Sequence, residues 1–244
     1  MISVWRLGAS ALSAAACLVF GTGAVAAAPA VQPDLTGVWS GASTPSAPDL
    51  TLPYRPEAKA KVDAYLKLVD PVGETPGFYC LGAGMPGAMM GSGGYPMEII
   101  QRPEQITIVY ELHGETRRVY FGARNAPQED RIPGRNGYSS GRWEGDALVV
   151  ETDNLVDQVD QRYPHSADAR IVERYRLGGT DERGRRILQV EATLTDPAYY
   201  TRPLTFERRW TEVPNGRLMN YECAEENWHK RLEELTAKAG PPAR

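Results

Sequence analysis

The chain is sparing with the residues that most often carry chemistry. Three histidines and three cysteines occur in 244 residues. His113, His165 and His229 are far apart in the chain and lack the close spacing of common zinc sites, so no metal centre is expected. No long run of Lys or Arg is present, which removes the usual footprint for a nucleic-acid backbone or an anionic membrane surface. The one Gly-rich loop does not close on a Lys-Ser or Lys-Thr pair and has no βαβ surroundings, so neither a phosphate-binding loop nor a nucleotide or flavin cofactor is expected.

One long apolar stretch is present, at the N-terminus. Residues 1–28, MISVWRLGASALSAAACLVFGTGAVAAA, place Arg6 before an apolar segment from about Ala9 to Ala26, with small residues before Pro29. This is the pattern of a secretory signal cleaved near Ala26 or Ala28. A membrane anchor competes with it, but the segment is Ala/Gly-rich, weakly apolar and close to the minimum spanning length. No stable membrane insertion is therefore expected after cleavage. Cys17 follows three alanines as a lipoprotein cysteine does, yet residues 18–28 stay apolar where a lipoprotein turns polar.

The expected mature protein, residues 29–244, is periplasmic or secreted. With Arg6 removed from the 27 Lys and Arg of the full chain it carries 26 against 31 Asp and Glu, an acidic balance. Cys80 and Cys223 remain. An even pair in an oxidising compartment favours a disulfide over two buried thiols or a metal pair. Closing so long a loop is worth over ~4 kcal/mol in the chain-entropy description.

About 215 mature residues suffice for one well-filled domain. A proline-rich stretch, TPSAPDLTLPYRPEA, reads as an N-terminal arm. Residues 56–69 read as a helix: Pro56 suits the first turn, Val62, Tyr65, Leu66 and Val69 recur at helical spacing, and Pro71 stops it. A Gly/Met-rich loop follows at 80–96 and is read as a flap over an apolar opening, with a merely flexible surface loop as the alternative. From residue 97 short β-rich runs alternate with turn signals, and with LTGVWSG at 35–41 they make about nine strands. Without intervening helices they predict an antiparallel meander, closed as a barrel in preference to a sandwich. A C-terminal helix is expected over about 225–237, with Trp228, Leu232 and Leu235 on one face.

Period-two alternation locates candidate chemistry. Ile106, Ile108, Tyr110 and Leu112 share one strand face; Ile171, Glu173, Tyr175 and Leu177 share another; Leu188, Val190, Ala192, Leu194 and Asp196 a third. Glu173 and Asp196 thus fall on apolar faces, where a carboxylate needs a partner or a raised pKa. Arg118 and Arg174 are the partners suggested by strand order. Either the carboxylates belong to buried ion pairs, or they belong to a polar cluster of the kind that forms a small-molecule site.

The ordered series DLTGVWSG, GMPGAMM, YPMEIIQRPEQITIVYE, RRVYFGAR, GYSSGRWEGDALVVET, YPHSADARIVERY, LTDPAYYTRPLTFERRW and YECAEEN resembles a set of exported bacterial proteins, most of them without an assigned function. The resemblance covers nearly the whole mature chain. The opening Gly-Val-Trp is also similar to lipocalin-like barrels. Export and such a barrel are what the resemblance implies; it implies no reaction. In these proteins the loop usually runs Gly-Met-Pro-Arg-x-Met, and Gly87 stands here at the arginine position.

His165 is the histidine best placed for proton transfer. It lies between Pro164 and Ser166 at the start of the strand carrying Glu173 and Tyr175. A satisfied turn residue is the competing reading. Two functions follow. One is a cofactor-free exported enzyme, a lyase, isomerase or hydrolase acting on a small organic molecule. His165 would be its acid or base with Asp196 or Glu173 as counterpart, and Tyr110, Arg118, Tyr175, Tyr200, Met85 and Met89 would hold the substrate. The other is a periplasmic carrier of an apolar small molecule. The enzyme predicts His, carboxylate and Tyr converging in one cavity; the carrier predicts an apolar cavity with the charges outside.

Overall fold

The computed structural model describes Met1 and residues 32–45, 47–91 and 93–239, without the side chains of residues 224, 226–228, 236 and 239. Apart from Met1 the expected signal segment, with Cys17, lies outside the described residues, as does the Trp228 side chain. The β-rich runs become β1 (Gly37–Gly41), β2 (Met97–Arg102), β3 (Gln105–Tyr110), β4 (Thr116–Tyr120), β5 (Tyr138–Glu144), β6 (Ala147–Asp153), β7 (Arg170–Thr180), β8 (Arg186–Thr195) and β9 (Leu204–Glu212). Each pairs with the next in sequence, and β1 closes the ring on β9 with Trp39 opposite Glu212 and Gly41 opposite Trp210. The result is a mainly-β, lipocalin-like barrel with no free sheet edge.

One pairing departs from the expected antiparallel meander. β4 and β5 run parallel, Val119 opposite Ser139 and Tyr120 opposite Ser140. Parallel neighbours need a crossover, and residues 121–137 supply it with short 3-10 turns in place of a helix. This is why the helix-free sequence concealed it.

Alternation sorts most of the barrel's inside from its outside: Ile106, Ile108 and Tyr110 on β3, Ile171, Glu173 and Tyr175 on β7, and Leu188, Val190, Ala192 and Leu194 on β8 are buried, whereas Leu177 is only partly so and Leu112 falls past β3 in a 3-10 turn. α1 spans Pro56–Val69 and buries Ala58 and Val62, one turn apart on the face toward the barrel. α2 spans Cys223–Ala239, beginning two residues earlier than expected. No helix among the described residues is long and apolar enough to cross a membrane.

The Gly/Met loop is a plug. Met85, Met89 and Met90 are 0, 0 and 3 % exposed and share the core with Trp39, Met97 and Trp210. The flap reading is therefore corrected: unbranched thioethers fill the irregular space at the barrel end, each contributing ~1.5–3 kcal/mol by burial. Cys80 and Cys223 are bridged with their Cα atoms 5.6 Å apart, inside the range a disulfide spans. The bridge fastens the first residue of α2 to the end of a 3-10 turn at Pro76–Tyr79.

Candidate ligand-binding site

Three polar features follow from this fold, and only the last is open. The first fills the barrel interior. Arg117 faces inward because it shares the β4 alternation with Val119, and its register partner is the buried Ile108. Its Nη1 donates to Glu173 Oε1 at 3.1 Å, Nη2 donates to Glu173 Oε2 and, at 2.7 Å, to Thr152 Oγ1, and Nε donates to Ser139 Oγ at 3.0 Å. The Tyr175 hydroxyl donates to Glu173 Oε1 at 2.9 Å. Burial alone would pull the guanidinium down, but Glu173 and the surrounding phenols hold it firmly protonated. Burial, then Glu173, pushes the Tyr175 phenol up. Arg118, assigned to this cluster from strand order, is a correction: it alternates outward and is exposed, and Arg174 likewise points out to Glu144 at 2.7 Å. Tyr110 does face this interior, its hydroxyl buried and without a hydrogen-bond partner among the described residues.

Ser139 belongs to a Gly-x-Ser-x-Gly spacing at 137–141. A nucleophile elbow needs a sharp strand-to-helix turn that exposes the serine. Here the serine lies inside β5, 1 % exposed, with its Oγ 2.9 Å from Thr152 Oγ1 and bonded to Arg117. It is part of the buried network.

The second feature surrounds His165, which is 0 % exposed. Residues 158 and 165 exchange both backbone hydrogen bonds at 2.9 Å, setting Gln161 at the tip of the intervening loop. The Gly87 N–H donates to Gln161 Oε1 at 3.1 Å, which fixes the amide orientation. The Gln161 amide nitrogen then points at the Met85 carbonyl, 3.1 Å away, and at His165 Nε2, 3.0 Å away. Each ring nitrogen of His165 also faces a backbone carbonyl at 3.0 Å, Nδ1 that of Ser166 and Nε2 that of Met85, so the ring donates to one of these carbonyls whichever nitrogen carries the proton. Burial pulls the imidazole's pKa down, in keeping with a neutral ring. Asp196 is equally occupied: it accepts from the Ser166 N–H and Oγ at 2.6 and 3.1 Å and from the Ala198 and Tyr199 N–H groups at 3.0 and 3.1 Å. The Tyr200 hydroxyl donates to the Pro164 carbonyl. These groups tie the plug loop to the 158–166 segment and the turn after β8. His165, Asp196 and Glu173, expected to converge, make no hydrogen bond to one another, and none of them faces open space.

The third feature is a cleft of about 630 Å³ beside the barrel end. It is built from pieces far apart in sequence: the arm at 44–48, Tyr65, Leu66 and Val69 of α1, the turn at 74–78, the loop at 81–87, Leu112 and His113, Arg135, residues 160–163, and Tyr221, Cys223 and Lys230. Its walls mix aromatic and aliphatic side chains with charged ones, among them Asp70, Glu74, Arg135, Asp160 and Arg162. Its arginines are held by carboxylates: Arg135 grips Asp160 with two bonds of 3.0 and 3.2 Å, and Arg162 meets Asp49 at 2.9 Å. Burial and then Asp160 push the Tyr65 phenol up, keeping it a neutral donor. His113 stands in the cleft wall. Its backbone is left-handed (φ 59°), its ring packs edge-on to Tyr221 with centroids 4.9 Å apart, and burial pulls its pKa down. His229 on α2 is exposed.

No family model, curated protein or solved structure matches this chain. Of the residues singled out from the sequence for a site, only Cys223 lines the cleft; Tyr110, Tyr175, Tyr200, Met85 and Met89 are sealed in the core. Gly87, at the position where the resemblance implies arginine, does line it, and a Cβ there would stand 2.9 Å from Gln161 Oε1. The cleft's own residues were not found because no local pattern marks them. Tyr65 and Leu66 read as an ordinary helix face.

Proposed function

We propose that this is an exported protein that binds a small, largely apolar aromatic molecule in the cleft beside the barrel. The observation that carries this reading is a cavity of about 630 Å³, the size range of small-molecule sites, whose walls include Tyr65, Phe78, Tyr163 and Tyr221 and whose Arg135 is already paired with Asp160. Aromatic walls whose arginines are already committed to carboxylates favour burying an apolar ring. Export rests on the N-terminal apolar segment and the Cys80–Cys223 pair. The resemblance to exported bacterial proteins agrees with it.

The test is fluorescence titration with N-phenyl-1-naphthylamine, which brightens when its rings leave water. The wild-type chain should bind it, and Leu66→Trp, which fills the cleft from α1, should weaken binding at least tenfold with the melting temperature unchanged. A wild type that leaves the probe dark, or a Leu66→Trp variant that binds as well, would overturn the reading. One observation favours an enzyme as the second reading: His113 is half-buried in the cleft wall and its Nδ1 has no partner among the described residues. In a lyase, isomerase or hydrolase on this site His113, rather than His165, is the base. His113→Gln would then keep the ligand and lose turnover.

A further inference from the structure

The arginines in the cleft wall are paired, but one arginine next to it is not. Arg208 occupies the inward row of β9 with Leu204, Phe206 and Trp210. Its Nη2 donates to the Ala42 carbonyl, while its Nε is buried with no acceptor among the described residues. The Trp210 indole N–H, two residues on in the same row, is also buried with no acceptor, and the Arg208 guanidinium lies 5.1 Å from the centre of that ring. No carboxylate among the described residues pairs with Arg208. Burial pulls its pKa down, whereas Arg117, Arg142 and Arg186, each beside a carboxylate, are pushed up.

A half-buried charge without a counter-ion costs stability, and two orphaned donors on successive inward positions mark a missing acceptor. Space is kept for the guanidinium: a Cβ at Gly91 would stand 2.0 Å, and one at Gly41 2.7 Å, from its Nη2. This place adjoins one end of the cleft. Thr44 and Gly93 line the cleft, and the Thr44 N–H donates to the Gly91 carbonyl at 3.2 Å. Tyr163 also lines it and lies 4.1 Å, centroid to centroid, from Phe206, the inward neighbour of Arg208.

We infer that Arg208 receives the anionic group, a carboxylate or sulfonate, of an aromatic ligand whose ring system lies in the cleft against Tyr163. The inference rests on the cleft being a ligand site. A planar fork of donors matches an oxyanion with two acceptor atoms, and the Trp210 N–H adds a further donor on the same row. The ligand class is therefore an aromatic organic acid rather than a neutral arene.

Two probes with one ring skeleton separate the claims. 1-Anilinonaphthalene-8-sulfonate differs from N-phenyl-1-naphthylamine by the sulfonate alone. Both are titrated into the wild-type chain and into Arg208→Gln, with Arg208→Met, which keeps the side-chain stem over Trp210 without the charge, as a second variant. The wild type should prefer the sulfonate by about tenfold or more, the scale of a charge-assisted pair. The variants should lose that preference, bind the neutral probe as before, and melt at the same temperature or higher. A preference that survives in both variants overturns the inference and leaves the cleft reading standing. Variants that lose stability also overturn it, because Arg208 would then be a satisfied structural group. Failure of the neutral probe to bind the wild type removes the cleft reading and this inference together.

Discussion

Replacing His165 by Leu separates a structural ring from a catalytic one. Leucine fills a similar volume but leaves the Gln161 amide and the carbonyl that the ring bonds without their present partner in a fully buried place. Each orphaned group costs ~1–3 kcal/mol, so the loss at pH 8 should be about 2–5 kcal/mol, or roughly 5–20 °C in melting temperature for a domain of this size. The loss has a pH signature. The folded ring is held below its ordinary pKa by burial, so above about pH 6.5 it is neutral in both states and its contribution is whole. As pH falls through 6.5 the unfolded chain takes up a proton and the folded chain does not, so wild-type stability declines until the folded pKa is reached. The gap between wild type and variant should therefore narrow below pH 6.5, by at most ~1.4 kcal/mol per pH unit. His113, also held low by burial, titrates with the same sign in both proteins and cancels in the difference. Urea unfolding at intervals from pH 5 to 8 measures the gap. A gap under ~1 kcal/mol at pH 8, or one that stays constant into acid, would refute the neutral, bonded ring and return His165 to the proton-transfer role expected from its sequence surroundings.

Glu173→Leu should cost about 3–5 kcal/mol, because it strands the Arg117 charge inside the barrel. The double variant Arg117→Met/Glu173→Leu should recover much of that. A single variant that unfolds in the same urea concentration as the wild type would show the pair is not structural. Replacing Met85, Met89 and Met90 together by Ser removes three buried apolar side chains at ~1.5–3 kcal/mol each, and cooperative melting should be lost. Unchanged melting with weakened probe binding would instead reinstate the loop as a mobile flap.

Local pattern determined much of this protein. Alternation placed Ile106, Ile108 and Tyr110, then Ile171, Glu173 and Tyr175, on buried faces, since a pleated strand sends successive side chains to opposite sides whatever it pairs with. Pro56 and Pro71 bracketed α1 because proline's lost N–H is tolerated only in a helix's first turn. The same alternation, with Val119 as its guide, also held the signal that Arg117 rather than Arg118 turns inward; strand order was the weaker guide. The remainder depended on which distant segments meet. The parallel β4–β5 pair has no helical crossover to announce it. His165 is sealed because the plug loop brings the Met85 carbonyl and Gly87 N–H against Gln161, eighty residues along the chain from Met85 to the ring. The cleft exists only where the arm, α1, the disulfide-tied turn and the start of α2 leave space between them. Burial and openness are properties of that three-dimensional meeting. A sequence specifies each wall's chemistry but records no distance between walls, which is why its strands could be read and its cavity could not.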